Sequence, residues 1–226
     1  MFQKTNMIAI VASAAIASCV SADSIDLDYI GLAGGYGATT ARLGSSTYYA
    51  GHMMHTITSG SRSGESFNTF CIEVGEFAKH GSATYEIVDL ADAPNPGTPY
   101  GQSKADAISA IVANAHAMGW IDAKLQADSG QADYLAKMGA LQAAIWEALG
   151  HDFQVNSGST STALRAQYNL LTNVSTFDGS MRMRNLMAVV ATGQQDQLWV
   201  VPLPPAAYAG LGLLGTLMGV RAIRRR

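Results

Sequence analysis

The sequence predicts an α+β domain in which helices are grouped against an antiparallel sheet. Three observations lead to this prediction: strand-like runs fill the first part of the chain, helical periodicity fills the middle, and strand character returns near the end. We expect the strands to form an antiparallel β-sandwich or a barrel-like sheet. The helical group would then be inserted between the earlier and the later strands.

The first part of the chain has short alternating or β-branched runs separated by glycine turns. Runs at residues 47–58, 67–77 and 84–90 predict strands. Residues 91–101 contain three prolines, and we expect a loop there.

The rest of the body is predicted to be helical and then to end in a hairpin. Apolar residues recur at helical spacing in three segments: residues 103–118, 131–149 and 162–171. Apolar runs at residues 186–190 and 198–201 flank turn signals at residues 192–196, and this pattern predicts a closing hairpin.

Charge is distributed unevenly along the 226 residues, which include 14 basic and 17 acidic side chains. Lys4 and four C-terminal arginines lie in the terminal segments, so the body between residues 23 and 200 keeps 9 bases against all 17 acids. A body with this negative balance repels phosphate backbones. The composition therefore argues against binding to nucleic acid.

The N-terminus is typical of a secretory signal peptide. One lysine, Lys4, precedes an apolar run at residues 7–20, and the small residues Ser21 and Ala22 provide a cleavage site. We expect residues 1–22 to be removed and the surface domain to span residues 23–200. The alternative is a lipoprotein, because the residues that end at Cys19 loosely resemble a lipobox.

The C-terminal segment, residues 201–226, has three parts. Val201, Pro202, Leu203 and Pro204 form a proline-rich head, and residues 206–220 form a short apolar stretch that we expect to be a transmembrane helix. The segment ends in an arginine cluster formed by Arg221, Arg224, Arg225 and Arg226. They would hold the C-terminus in the cytoplasm.

This order of parts resembles the PEP-CTERM sorting signals, in the variant that reads Val-Pro-Leu-Pro. The resemblance implies an exosortase-type protease as a processing partner and transit through the inner membrane of a Gram-negative bacterium. The final location would be the cell surface or the extracellular matrix. A permanent membrane anchor is the alternative.

Two side chains in the body stand out by their positions. Cys71 is the only cysteine that remains once Cys19 is removed, and strand alternation places it on the face opposite Phe70 and Ile72. Gln142 falls within the apolar stripe of the second predicted helix. Because a buried amide without partners costs free energy, we expect Gln142 to be satisfied or chemically altered.

The residues around these two side chains resemble the paired motifs of bacterial thioester domains, which are adhesin modules. Phe70-Cys71-Ile72-Glu73 matches the first motif except that Glu73 replaces the usual aspartate, and Leu141-Gln142-Ala143-Ala144-Ile145-Trp146 matches the second. The resemblance implies a thioester between Cys71 and Gln142, supported by Glu73, Ile145 and Trp146. Its partner would be an amine on another surface, such as a protein lysine or a polyamine-like group.

Two other functions are compatible with the sequence. A passive envelope or matrix protein would carry the same tail without a thioester, and a hydrolase would pair Cys71 with a histidine such as His80, His116 or His151. His52 and His55 would point to opposite faces of a strand, so we expect no metal site. We expect no cofactor and no turnover enzyme.

Overall fold

The computed structural model describes residues 24–36, 39–155 and 160–201 of the chain. The predicted signal peptide, Cys19, and the sorting segment from Pro202 to Arg226 lie outside the described residues. Within them the fold is α+β, with a six-stranded antiparallel sheet and three helices, so the predicted fold class is confirmed at this level. Among the described helices, none is both long enough and apolar enough to cross a membrane.

The described part of the chain contains eight strands, which form two sheets. In chain order they are β1 (Ser24–Leu32), β2 (Thr40–Leu43), β3 (Ser46–Tyr49), β4 (Met53–Ile57), β5 (Ser66–Thr69), β6 (Ser82–Asp89), β7 (Leu186–Ala191) and β8 (Gln194–Val200). The main sheet has the order β5-β4-β1-β6-β7-β8, and β2 pairs with β3 in a separate hairpin. The helices follow β6 and precede β7, which are neighbours in the sheet.

Two predicted strands are interrupted in the structure. The predicted strand at residues 47–58 is divided between β3 and β4, which belong to different sheets. The predicted strand at residues 67–77 was too long, because β5 ends at Thr69, opposite Met53, and Met53 is the first residue of its antiparallel neighbour β4, which offers no further partner. Glu73 therefore lies beyond the strand.

The three helices occur where they were predicted, with small shifts at their ends. They are α1 (Gly101–Ala117), α2 (Tyr134–Ala148) and α3 (Thr162–Leu171). Helix α2 starts three residues later than predicted, because Asp133 has a left-handed φ of 58° that a helix cannot contain. Residues 138–146 of α2 are all buried, so the helix has apolar contacts on nearly every side instead of one stripe.

The chain that follows β5 connects the two edges of the main sheet. The Leu198 N–H donates to the Phe70 carbonyl over 2.9 Å, and the Ile72 N–H donates to the Asp196 carbonyl over 3.0 Å. These bonds place Cys71 opposite Gln197 of β8. The sheet edges are therefore joined at residues 70–72.

The same segment lies at the centre of the larger hydrophobic core. Phe70, Ile72, Leu141 and Ile145 are fully buried in this core, which combines side chains of the sheet with side chains of all three helices. A smaller cluster around Leu27 lies among the sheet strands alone. Residues 70–72 are thus fixed by packing on one side and by β8 on the other.

Candidate functional site

Cys71 has backbone groups that point away from β8. In an antiparallel ladder, successive residues direct their N–H and C=O groups to opposite sides. Phe70 and Ile72 use theirs to bond β8, so those of Cys71 face the side that β4 has left. A buried backbone needs another partner there.

Gln142 supplies that partner from the middle of α2. Its side-chain Oε1 accepts a hydrogen bond from the Cys71 N–H over 2.8 Å, and its Nε2 donates to the Cys71 carbonyl over 2.7 Å. The Gln142 side chain is 1 % exposed, and both polar atoms are satisfied by this pair of bonds. The amide predicted to need a partner therefore lies against the peptide of the predicted cysteine.

The Cys71 sulfur is held close to the backbone of Glu73. The thiol donates to the Glu73 carbonyl, and the Glu73 N–H donates to the sulfur over 3.2 Å. Complete burial raises the pKa of the thiol to about 12, while the Trp146 indole N–H and the Glu73 backbone act in the opposite direction. The resting group is therefore a neutral thiol at neutral pH.

A cavity of about 470 Å³ opens onto Cys71, Gln142 and Trp146. Its lining also includes residues of β3 and of the segment after β5, and among the described residues no lining side chain is a carboxylate, a lysine or an arginine. Three aromatic side chains of the lining are largely exposed: Tyr36 at 59 %, Tyr49 at 52 % and Phe77 at 70 %. The cavity thus has an uncharged wall and an aromatic rim.

Trp146 forms one wall of the cavity and is fixed by other aromatic rings. It stacks on Phe153 with ring centroids 4.6 Å apart, and it makes an edge contact with Tyr48, whose ring centroid lies 6.1 Å away. Trp146 is 3 % exposed, yet its indole N–H makes no hydrogen bond of normal geometry. Ile145 lies next to it in the chain but packs in the core and does not line the cavity.

Glu73 contacts the Cys71 sulfur through its backbone and not through its carboxylate. The Glu73 N–H and C=O contact the sulfur, whereas the carboxylate oxygen Oε2 is buried without a hydrogen-bond partner. Burial raises the pKa of this carboxyl group. The support that Glu73 gives to the cysteine in this structure therefore comes from its main chain.

The predicted histidines form no hydrogen bond with Cys71 within the described residues. His80 instead donates to the carbonyl of Tyr29. His52 is not on a strand, contrary to prediction, because it precedes β4; it is buried and bonds the Tyr134 hydroxyl and the Leu125 carbonyl. No group of three potential metal ligands occurs among the described residues.

Sequence reasoning missed two side chains that shape the site. Asp196 was placed in a turn but belongs to β8, where it is fully buried and accepts hydrogen bonds from the N–H groups of Asn95 and Ala191. Burial raises the pKa of Asp196 to about 7. The Tyr100 hydroxyl donates to the Ile72 carbonyl. Neither residue carries a local pattern that marks it.

Comparison of the chain with protein-family models, with curated protein sequences and with solved structures found no match.

Proposed function

We propose that this chain is an exported surface or matrix protein in which Cys71 and Gln142 form an internal thioester. The thioester would then join the protein covalently to an amine on a partner surface, which makes adhesion its function. One observation carries the proposal: the Gln142 amide is held on the Cys71 peptide, at a cavity that both side chains line.

Thioester formation needs no reactant other than the Cys71 thiol and the Gln142 amide. The Cys71 sulfur attacks Cδ of Gln142, the C–N bond breaks, and the thiol proton leaves with the nitrogen as ammonia. The Cys71 N–H, 2.8 Å from Oε1, is placed to stabilise the negative charge that grows on this oxygen during attack. The two backbone bonds also hold the amide in one orientation.

The second reaction consumes the site. The nitrogen of an incoming amine attacks the thioester carbonyl, the C–S bond breaks, and a proton from the amine goes to the sulfur. The product is an amide on Gln142 and a free Cys71 thiol, so each molecule reacts once and is not a turnover enzyme. Protein lysines and polyamine-like groups are the partners that fit this chemistry.

The cavity wall suits such a nucleophile. Amines attack thioesters without the strong base that an alcohol needs, and no histidine or carboxylate lines the described cavity. Trp146 and the aromatic rim limit access of water to the bond. Ile145 anchors this part of α2 in the core, and Glu73 holds the sulfur through its main chain.

The export route completes the proposal. The signal peptide at residues 1–22 directs the chain out of the cytoplasm, and the segment at residues 201–226 holds it at the inner membrane until an exosortase-type protease removes the tail. The domain at residues 23–200, with a barrel-like sheet closed at residues 70–72, then reaches the cell surface or the matrix of a Gram-negative bacterium.

A passive matrix protein is the second candidate, and one observation favours it. Gln126 holds the peptide of Asn68 as Gln142 holds that of Cys71: the Asn68 N–H donates to Oε1, and Nε2 donates to the Asn68 carbonyl, each over 2.9 Å. Asn68 has no nucleophile, so this pair is structural. Gln142 would serve the same purpose if no thioester formed.

Labelling with methylamine separates the two candidates. We expect wild-type protein to gain methylamine on Gln142 while a titratable thiol appears on Cys71, and we expect Cys71→Ala and Gln142→Ala to show neither change. Gln126→Ala is the matched control, because it removes an equivalent pair of backbone bonds and should leave labelling intact. Wild-type protein that takes up no methylamine would favour the passive protein.

A further inference from the structure

Trp146 carries a buried polar group that its packing does not explain. Its indole N–H is one of the few buried side-chain donors among the described residues without a hydrogen-bond partner. Stacking on Phe153 and the edge contact with Tyr48 need only an aromatic ring. A phenylalanine would fill this wall without leaving a donor unpaired, and an unpaired buried donor costs free energy.

The unpaired N–H lies beside the Cys71 sulfur. Trp146 and Cys71 line the same cavity, and the indole N–H lowers the pKa of the thiol without making a hydrogen bond of normal geometry to it. The Glu73 N–H donates to the same sulfur over 3.2 Å. Two N–H groups from different parts of the chain therefore converge on one atom.

Such donors are weak partners for a resting sulfur and strong ones for a charged sulfur. A thiol or thioester sulfur is a poor acceptor, whereas a thiolate is a good one. A donor lowers the barrier of the chemical step when its hydrogen bond is weak in the ground state and becomes strong as charge develops in the transition state. This difference accounts for an N–H that stays unpaired in the resting structure.

We propose that Trp146 is a catalytic residue, whose indole N–H stabilises the negative charge on the Cys71 sulfur while the bond to Gln142 forms or breaks. The inference rests on the proposed thioester. During aminolysis the electron pair of the C–S bond goes to the sulfur, and the indole N–H and the Glu73 N–H hold this charge until a proton from the amine arrives. Because burial penalises a thiolate here, these donors have an unusually large effect.

The test compares Trp146→Phe with Trp199→Phe in the full-length protein. Both variants replace a buried tryptophan, but Trp199 lies in the smaller cluster and does not line the cavity. We expect the second-order rate constant for release of the Cys71 thiol by methylamine to fall about 10-fold or more in Trp146→Phe. It should change less than about twofold in Trp199→Phe, for which we expect no effect on the transition state. An unchanged or faster reaction in Trp146→Phe would overturn the inference and leave Trp146 a water shield.

A second measurement keeps this result separate from the proposed function. In a Gln142→Ala background no thioester can form, so the rate of Cys71 alkylation by iodoacetamide reports the reactivity of the thiolate in each variant. We expect Gln142→Ala/Trp146→Phe to be alkylated more slowly than Gln142→Ala, and Gln142→Ala/Trp199→Phe to match Gln142→Ala. Equal rates in the first comparison would refute the role of Trp146 even if wild-type protein proved to contain no thioester.

Discussion

Opening the proposed thioester should lower the free energy of unfolding of the domain by an amount that depends on the number of residues between Cys71 and Gln142. A bond between Cys71 and Gln142 connects residues 71 positions apart. The chain-entropy model for a covalent crosslink of this span gives about 4 kcal/mol at 25 °C, because the bond restricts the unfolded chain. Treatment of folded wild-type protein with methylamine should reduce the free energy of unfolding by about this amount.

Urea unfolding followed by tryptophan fluorescence measures the effect, since the chain has three tryptophans. Cys71→Ala is the matched control: methylamine should not move its midpoint, because there is no bond to open. Gln142→Ala should also be insensitive to methylamine, but it should be less stable than Cys71→Ala. The Cys71 N–H and C=O then lose their partners, and each buried unpaired group costs about 1–3 kcal/mol. A wild-type midpoint that methylamine leaves unchanged would refute the crosslink.

Three further predictions concern stability, and each is checked by urea unfolding. Burial lowers the pKa of His55 to about 4, so its stabilising contribution is full above pH 6.5 and should be lost as pH falls towards 4. His55→Phe should therefore reduce the dependence of the free energy of unfolding on pH in this range, and an unchanged pH dependence would contradict the prediction. Gly139→Ala should destabilise the domain by about 1–3 kcal/mol, because the new Cβ would lie 2.8 Å from Thr39 Oγ1 and 2.9 Å from Leu164 Cδ1; an equal or higher midpoint would show that the α2–α3 contact can relax. Deletion of residues 202–226 should leave the unfolding midpoint unchanged, since β8 ends at Val200; a lower midpoint would mean that the tail contributes to the core.

Periodicity predicted the helices well and the strands less well. Helix α3 has the predicted bounds, because its apolar residues mark one clear stripe. The strand predicted at residues 67–77 was too long, since alternation continues in the sequence beyond Thr69, the last residue that pairs with β4. Strand length depends on a neighbour that is distant in the chain, and a local pattern does not contain it.

The candidate site was likewise predicted only in part from the sequence. The amide of Gln142 inside an apolar stripe was visible in the sequence, and its need for a partner followed from burial alone. The partner itself was not visible: the Cys71 peptide is free for Gln142 because β4 begins at Met53, opposite Thr69, and would need two more residue pairs to reach Cys71. Asp196 was missed for a related reason, because one of its two backbone donors, Asn95, lies in the loop before α1 and the other, Ala191, ends β7.

The intact mass of freshly folded wild-type protein, purified without exposure to amines, tests the central claim most directly. A thioester between Cys71 and Gln142 predicts a mass one ammonia below that of the processed sequence, with no thiol titratable at Cys71. Cys71→Ala should have its full sequence mass under the same conditions. A full sequence mass for wild-type protein, with Cys71 recovered as a free thiol after unfolding, would contradict the thioester and leave Gln142 as a structural partner of the backbone.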